Sequence, residues 1–115
     1  MDVTQVDERD SSWEDPSPRF RVYLYEDPHG SYGTRTYDIT GADVLEVILW
    51  AQDNVRGEDG LIAVALVGSH HHGEESRGLV WLLGSDDVHS SQPTESERAV
   101  LDKMRARGTR PLRRG

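Results

Sequence analysis

The segment LIAVALV, residues 61–67, constrains the fold more than any other part of the chain. It is apolar at every position, and glycine-bearing turns flank it on both sides. A strand that is apolar throughout, rather than at alternate positions, is typical of a strand covered on both faces. We therefore predict that residues 61–67 form a central strand of a sheet.

Three further strands are predicted around this segment. RFRVYLYE, residues 19–26, alternates between apolar and polar side chains, which is the period of a half-buried strand. Strand-favouring residues return at 32–39 after a turn-like segment, so these two strands are predicted to form an antiparallel hairpin. A short apolar run at residues 79–83 predicts the fourth strand.

Two helices are predicted from start signals that precede apolar residues at helical spacing. The first is predicted to start at TGAD, where Thr40 and Asp43 resemble a capping box. The second has a capping box at Thr94 and Glu97 and is predicted to end near Ala106.

The resulting order is ββαββα, which predicts an α+β fold. We expect one mostly antiparallel four-stranded sheet with two helices packed on one face. The polar side of the first two strands fits an open outer face, whereas the fully apolar central strand requires cover on both sides. A tail or a second chain is the expected source of that cover.

The charge distribution predicts a tail at each end of a single domain. Six acidic residues and one basic residue lie in residues 1–15, whereas six basic residues and no acidic residue lie in residues 103–115. We predict a disordered acidic tail over 1–18, one α+β domain over 19–107 and a basic tail over 108–115.

Several classes of protein are disfavoured by composition. The chain has a net charge of -8, and an acidic body disfavours nucleic acid as the partner because phosphate binding requires a basic surface. No apolar stretch reaches the roughly 18 residues of a membrane span, and the start lacks the features of a signal peptide.

The same composition sets expectations about origin and location. The chain contains no cysteine, which excludes disulfides and thiolate chemistry within it and fits a reducing compartment. We expect a cytoplasmic protein without a membrane partner. Of its thirteen basic residues, twelve are arginine, which we take as a sign of a GC-rich bacterial genome.

SHHHGEES, residues 69–76, is the candidate metal-binding segment. In extended backbone His70 and His72 share one side. Glu74 or Glu75 as a third ligand, and His89 or His29 as a fourth, would complete a zinc site of histidine and carboxylate ligands. The spacing matches no established zinc motif, and histidine-rich tracts bind metal through composition alone. A solvated hairpin loop is the competing interpretation. No cofactor is expected, and zinc is the alternative.

A small enzyme is the alternative function. Its candidate catalytic residues belong to the two loops on either side of the fourth strand: His70, His72, Asp86, Asp87 and His89. If both loops open on the same side of the sheet, these side chains would line one cleft suited to acid–base or metal-assisted chemistry. Neighbouring serine and histidine residues do not define a catalytic triad, so the sequence leaves enzymatic activity open.

Protein binding is the function that the sequence favours most. Arg21, Tyr23 and Tyr25 share the polar face of the first strand, and arginine and tyrosine are enriched in binding hot spots. Trp50 widens the apolar stripe of the first helix, which indicates either deep burial or a partner surface. We predict a small acidic module that binds another protein or a second copy of itself, as a regulator, inhibitor, immunity-like protein or accessory factor.

Overall fold

The computed structural model describes residues 1–9, 16–26, 33–69, 77–86 and 92–112. Its elements are β1 (Arg19–Glu26), β2 (Gly33–Ile39), α1 (Val44–Asn54), β3 (Leu61–Ser69), β4 (Arg77–Leu83) and α2 (Glu95–Arg107). Neighbouring strands pair antiparallel in the order β2-β1-β3-β4. The predicted α+β class, the ββαββα order and the four-stranded antiparallel sheet are confirmed, and LIAVALV lies in the inner strand β3.

One face of the sheet, called the α1 face below, is closed by the first helix. Successive strand side chains point to opposite faces, so every second residue of β1 and β3 points toward α1. The buried residues of this cluster are at most 4% exposed. They are Phe20, Val22, Leu24, Val47, Ala51, Ile62 and Val64.

The opposite face of the sheet, called the outer face below, is partly covered by α2. This helix packs through Leu101 and Met104 on Tyr25, Leu61 and Ala63, which occupy the alternate positions of β1 and β3. The prediction that both helices pack on one face is therefore wrong. Because β3 is apolar on both faces, each face must be covered. On the outer face α2 provides this cover in part, where a tail or a second chain was expected to provide it.

The capping boxes place the starts of the two helices. In α1 the N-cap is Asp43 rather than Thr40: the Asp43 carboxylate accepts from the Glu46 N–H at 2.9 Å, and the Glu46 carboxylate accepts from the Asp43 N–H at 3.0 Å. Glutamate reaches back to the N-cap amide, whereas the aspartate of the predicted box is one methylene shorter. The second predicted box is confirmed, since Thr94 accepts from the Glu97 N–H at 3.2 Å.

The strand β4 carries a shift in register. Leu83 lies opposite Val64 and Trp81 lies opposite Ala65, so Leu82 is an extra residue of the kind found in a β-bulge. The irregularity interrupts the alternation of side chains along β4. It leaves Trp81 on the outer face with Ala65.

The segment that follows α2 lies against the domain. Gln52 of α1 donates through Nε2 to the Leu112 carbonyl at 3.0 Å and accepts from the Leu112 N–H through Oε1 at 2.6 Å. A Cβ placed on Gly60 would lie 3.3 Å from the Thr109 methyl group. Residues 108–112 therefore contact the body of the protein, although the charge pattern predicts that they belong to a tail. The rest of the division into domain and tails stays a prediction.

Candidate functional site

A group of aromatic and arginine side chains lies on the part of the outer face beyond α2. We define the outer-face patch as Arg21, Tyr23 and Trp81, each of which is partly buried. The ring centroids of Tyr23 and Trp81 lie 5.1 Å apart. The two rings meet across β3, because the β3 residues opposite them, Ala63 and Ala65, carry only methyl groups.

Arg21 is held in this patch by an ion pair. Its Nε lies 2.7 Å from Asp38 Oδ1 and its Nη2 lies 3.1 Å from Asp38 Oδ2. Asp38 is the residue directly opposite on β2. The hydrogen bond to Asp38 raises the pKa of Arg21 above its ordinary value, against a smaller opposing effect of desolvation. The paired geometry fixes the orientation of the guanidinium group.

Tyr25 does not belong to the accessible surface. It is 1% exposed beneath α2, and its hydroxyl donates to the Ser85 carbonyl at 3.2 Å. Its ring is stacked beside that of Tyr23, with the centroids 6.2 Å apart. The sequence places Tyr25 on the correct face of the sheet but does not reveal that α2 covers it. Tyr25 is therefore unavailable to a partner in this conformation.

Trp50 lies on the other side of the sheet. Its ring meets that of Tyr37 edge-on, with the centroids 5.2 Å apart and the planes at 73°. A groove of about 580 Å³ lies between β2 and α1 beside these two rings. The sheet separates Trp50 from the outer-face patch, so the four residues predicted to bind a partner do not form one surface.

A second ion pair lies on the α1 face. Arg35 Nε and Nη2 lie 2.7 and 2.8 Å from the two carboxylate oxygens of Glu26. Nη2 also donates to the Asn54 carbonyl at 2.8 Å, and the Arg56 N–H donates to Glu26 at 2.6 Å. The hydrogen bond from Arg35 lowers the pKa of Glu26, which burial opposes and the Arg56 N–H reinforces. This pair joins the β1–β2 hairpin to the end of α1.

Apolar side chains are exposed along β4, where Val80 lies opposite Leu66 and therefore points to the α1 face rather than to the patch. Val80 is 57% exposed and Leu82 is 45% exposed, and they flank Trp81 in the sequence. Among the described strands β4 pairs only with β3, so it is one edge of the sheet. An apolar edge strand offers backbone and side-chain contacts to another chain.

The residues of the enzyme and metal hypotheses lie mostly outside the described part of the chain. Asp86 is described and is exposed shortly after β4. The side chains within the described residues include no group of three or more histidine, cysteine, aspartate or glutamate residues that would hold a metal ion. Both hypotheses stay predictions, since the other candidates lie beyond the description: His29, His70, His72, Glu74, Glu75, Asp87 and His89.

The sequence pattern did not predict that Trp81 belongs to the candidate site. The available signal was its place in a short apolar strand, but the extra residue Leu82 hides the alternation of β4. Comparison of the chain with known protein families, curated proteins and solved structures found no match. Of the helices in the described residues, neither is long and apolar enough to cross a membrane.

Proposed function

We propose that the chain is a small acidic protein-binding module that contacts another protein, or a second copy of itself, through the outer-face patch. The observation that supports this proposal best is the 5.1 Å contact between the Tyr23 and Trp81 rings on a face that α2 covers only in part. Aromatic residues and arginine are the types that contribute most of the binding energy at protein interfaces.

The patch is organised before any partner arrives. Arg21 is held by two bonds to Asp38, and the Tyr23 ring lies between those of Tyr25 and Trp81. Side chains that are already ordered lose less conformational entropy on binding. The ordered side chains therefore support the proposal that this patch binds a partner with a small entropic cost.

The charge of the chain favours a basic partner. A net charge of -8 attracts basic proteins over long distances and raises the association rate without charged contacts at the centre of the interface. In this proposal the module acts as a regulator, an inhibitor, an immunity-like protein or an accessory factor. The cytoplasm is the proposed location, since a cysteine-free chain suits a reducing compartment.

Site-specific crosslinking tests the proposed surface. A photoreactive amino acid is placed at residue 23 and, as a control, at residue 37, because Tyr37 is a partly exposed tyrosine on the α1 face. Captured proteins are identified and purified, and their dissociation constants are measured directly with the wild-type chain. We expect Tyr23→Ala to weaken binding by about 2 kcal/mol, roughly thirtyfold, and Tyr37→Ala to leave it nearly unchanged.

The outcome that contradicts the proposal is a verified partner that binds the Tyr23→Ala variant as tightly as the wild-type chain. Circular dichroism of each variant confirms that it is folded before its affinity is compared. Analytical ultracentrifugation of the purified chain distinguishes a second copy of the chain from a different protein as the partner. A dimer that is lost in Tyr23→Ala identifies a second copy, whereas a monomer at all concentrations assigns the surface to a different protein.

A further inference from the structure

The structure points to regulation of this surface: we propose that α2 is a lid on the outer face, held closed by a latch between Gln52 and Leu112. The inference rests on the protein-binding function proposed for the outer face and deepens it. Opening the lid would enlarge the same surface.

The lid is attached to the sheet by few buried side chains. Of its thirteen residues, Leu101 and Met104 are buried, and Val100 packs on the same cluster as a partly buried residue. Elements with little buried apolar surface open at lower free energy than the core of a domain. α2 is therefore the element best suited to leave the sheet while the α1 face stays closed.

The latch adds a restraint that packing does not provide. The side-chain amide of Gln52 donates one hydrogen bond to the backbone of Leu112 and accepts one from it, at 3.0 and 2.6 Å. A neighbouring strand would form the same pair of hydrogen bonds with this residue. Gln52 is 4% exposed, so an open latch would leave a buried amide to be satisfied by water. Because Leu112 follows α2 and Gln52 belongs to α1, the closed latch ties the lid to the helix on the other face.

A glycine makes room for the closed lid. Gly84 has a φ of +71°, and a Cβ placed there would lie 3.0 Å from Met104 Cε and 3.2 Å from Ala63 Cβ. A Cβ at this position would therefore require Met104 or Ala63 to move by a few tenths of an ångström, and the positive φ is itself strained for any residue but glycine. Gly84, directly after β4, therefore lies close to the packed position of Met104.

An open lid would extend the aromatic surface. Tyr25 is buried with Leu101 and Met104, and its ring lies beside that of Tyr23, which in turn meets Trp81. The closed state presents two partly exposed rings, and the open state presents a row of three. A partner with an apolar segment that fits this row binds the open state better and so shifts the population toward it.

The latch is tested by Gln52→Leu, with Gln92→Leu as the matched control at an exposed position. Leucine keeps the volume of the buried side chain and removes both bonds to Leu112. We expect hydrogen exchange of α2 amides to rise at least tenfold, while β1 and β3 change less than twofold. Nitration of Tyr25 by tetranitromethane is expected to rise at least tenfold, with Tyr37 as the internal reference.

A second variant, Leu112→Pro, removes the N–H that donates a hydrogen bond to Gln52. Leu112 lies outside every strand and helix, so proline interrupts none of them. It is expected to change α2 and Tyr25 in the same direction. Unchanged Tyr25 nitration in both variants overturns the lid, and so does an equal rise in exchange across β1, β3 and α2, since that is loosening of the whole domain. These readouts need no partner, so the lid and the binding function can fail separately.

Discussion

The two faces of the sheet are built from the same strands but are closed to different degrees. On the α1 face, seven buried residues form a continuous cluster. On the outer face, α2 covers Tyr25, Leu61 and Ala63, whereas Arg21, Tyr23 and Trp81 stay partly exposed. One set of β1 side chains is thus buried in the α1-face cluster, whereas the other set is divided between Tyr25, buried beneath α2, and the partly exposed Arg21 and Tyr23. The larger buried cluster and the proposed binding surface lie on opposite faces, so substitutions can test them separately.

The largest expected effect is that of Leu24→Ala on the α1 face. Leu24 is fully buried, so the change removes apolar contacts and leaves a cavity, and we expect a loss of about 2–5 kcal/mol in the free energy of unfolding. Urea unfolding followed by circular dichroism gives the value. Leu82→Ala, at a 45% exposed leucine of β4, is the control and is expected to cost under about 0.5 kcal/mol. Equal losses in the two variants would contradict the packing of Leu24 in the α1-face cluster.

An intermediate effect is expected for Glu26→Gln, which breaks the ion pair of the α1 face. Glu26 accepts from Arg35 and from the Arg56 N–H, and loss of these charge-assisted bonds is expected to cost about 1–2 kcal/mol near neutral pH.

The contribution of Glu26 also has a pH dependence of known sign. The pKa of its carboxyl group is lower in the folded chain, so the folded state binds fewer protons and stability falls as the pH drops. The contribution is complete above the ordinary glutamate pKa of about 4.3 and is lost as the pH falls through the lowered value. Unfolding at a series of pH values should show the wild type converging on Glu26→Gln in acid. A constant gap between them would rule out this linkage.

The smallest expected effect is that of Arg21→Gln on the outer face. The Arg21 and Asp38 side chains are 26% and 35% exposed, and exposed ion pairs contribute about 0.2–1 kcal/mol. A double-mutant cycle with Asp38→Asn measures the interaction. If this pair proves stronger than that of Arg35 and Glu26, then the outer face has a structural role and the separation of the two faces fails.

The strands were predictable because each carries its own pattern. β1 was predicted with its observed bounds, residues 19–26, since its alternation ends where charged and turn-forming residues begin. The placement of α2 was not predictable. Its apolar stripe fits either face of a sheet, and the connection before it is long enough to reach both.

The candidate site was predictable only in part for a similar reason. The alternation of β1 put Arg21 and Tyr23 on one face, which the strand pairing confirms. The contact between Tyr23 and Trp81 depends on the register between β3 and β4, which no local pattern encodes. The hydrogen bonds between Gln52 and Leu112 depend on the path of the chain after α2. The sequence of this segment has only the pattern of a basic tail, so it does not predict that path.

The bonds between Gln52 and Leu112 also bear on the order in which the protein folds. They join positions sixty residues apart, and closing a longer loop costs more entropy. The pairing of β1 with β3 and the packing of α1 require shorter closures, and contacts closer in sequence tend to form earlier. During synthesis, α1 and its side of the sheet can assemble before Leu112 has been added to the chain. The order of these closures therefore allows the α1 face to close while the outer face is still open.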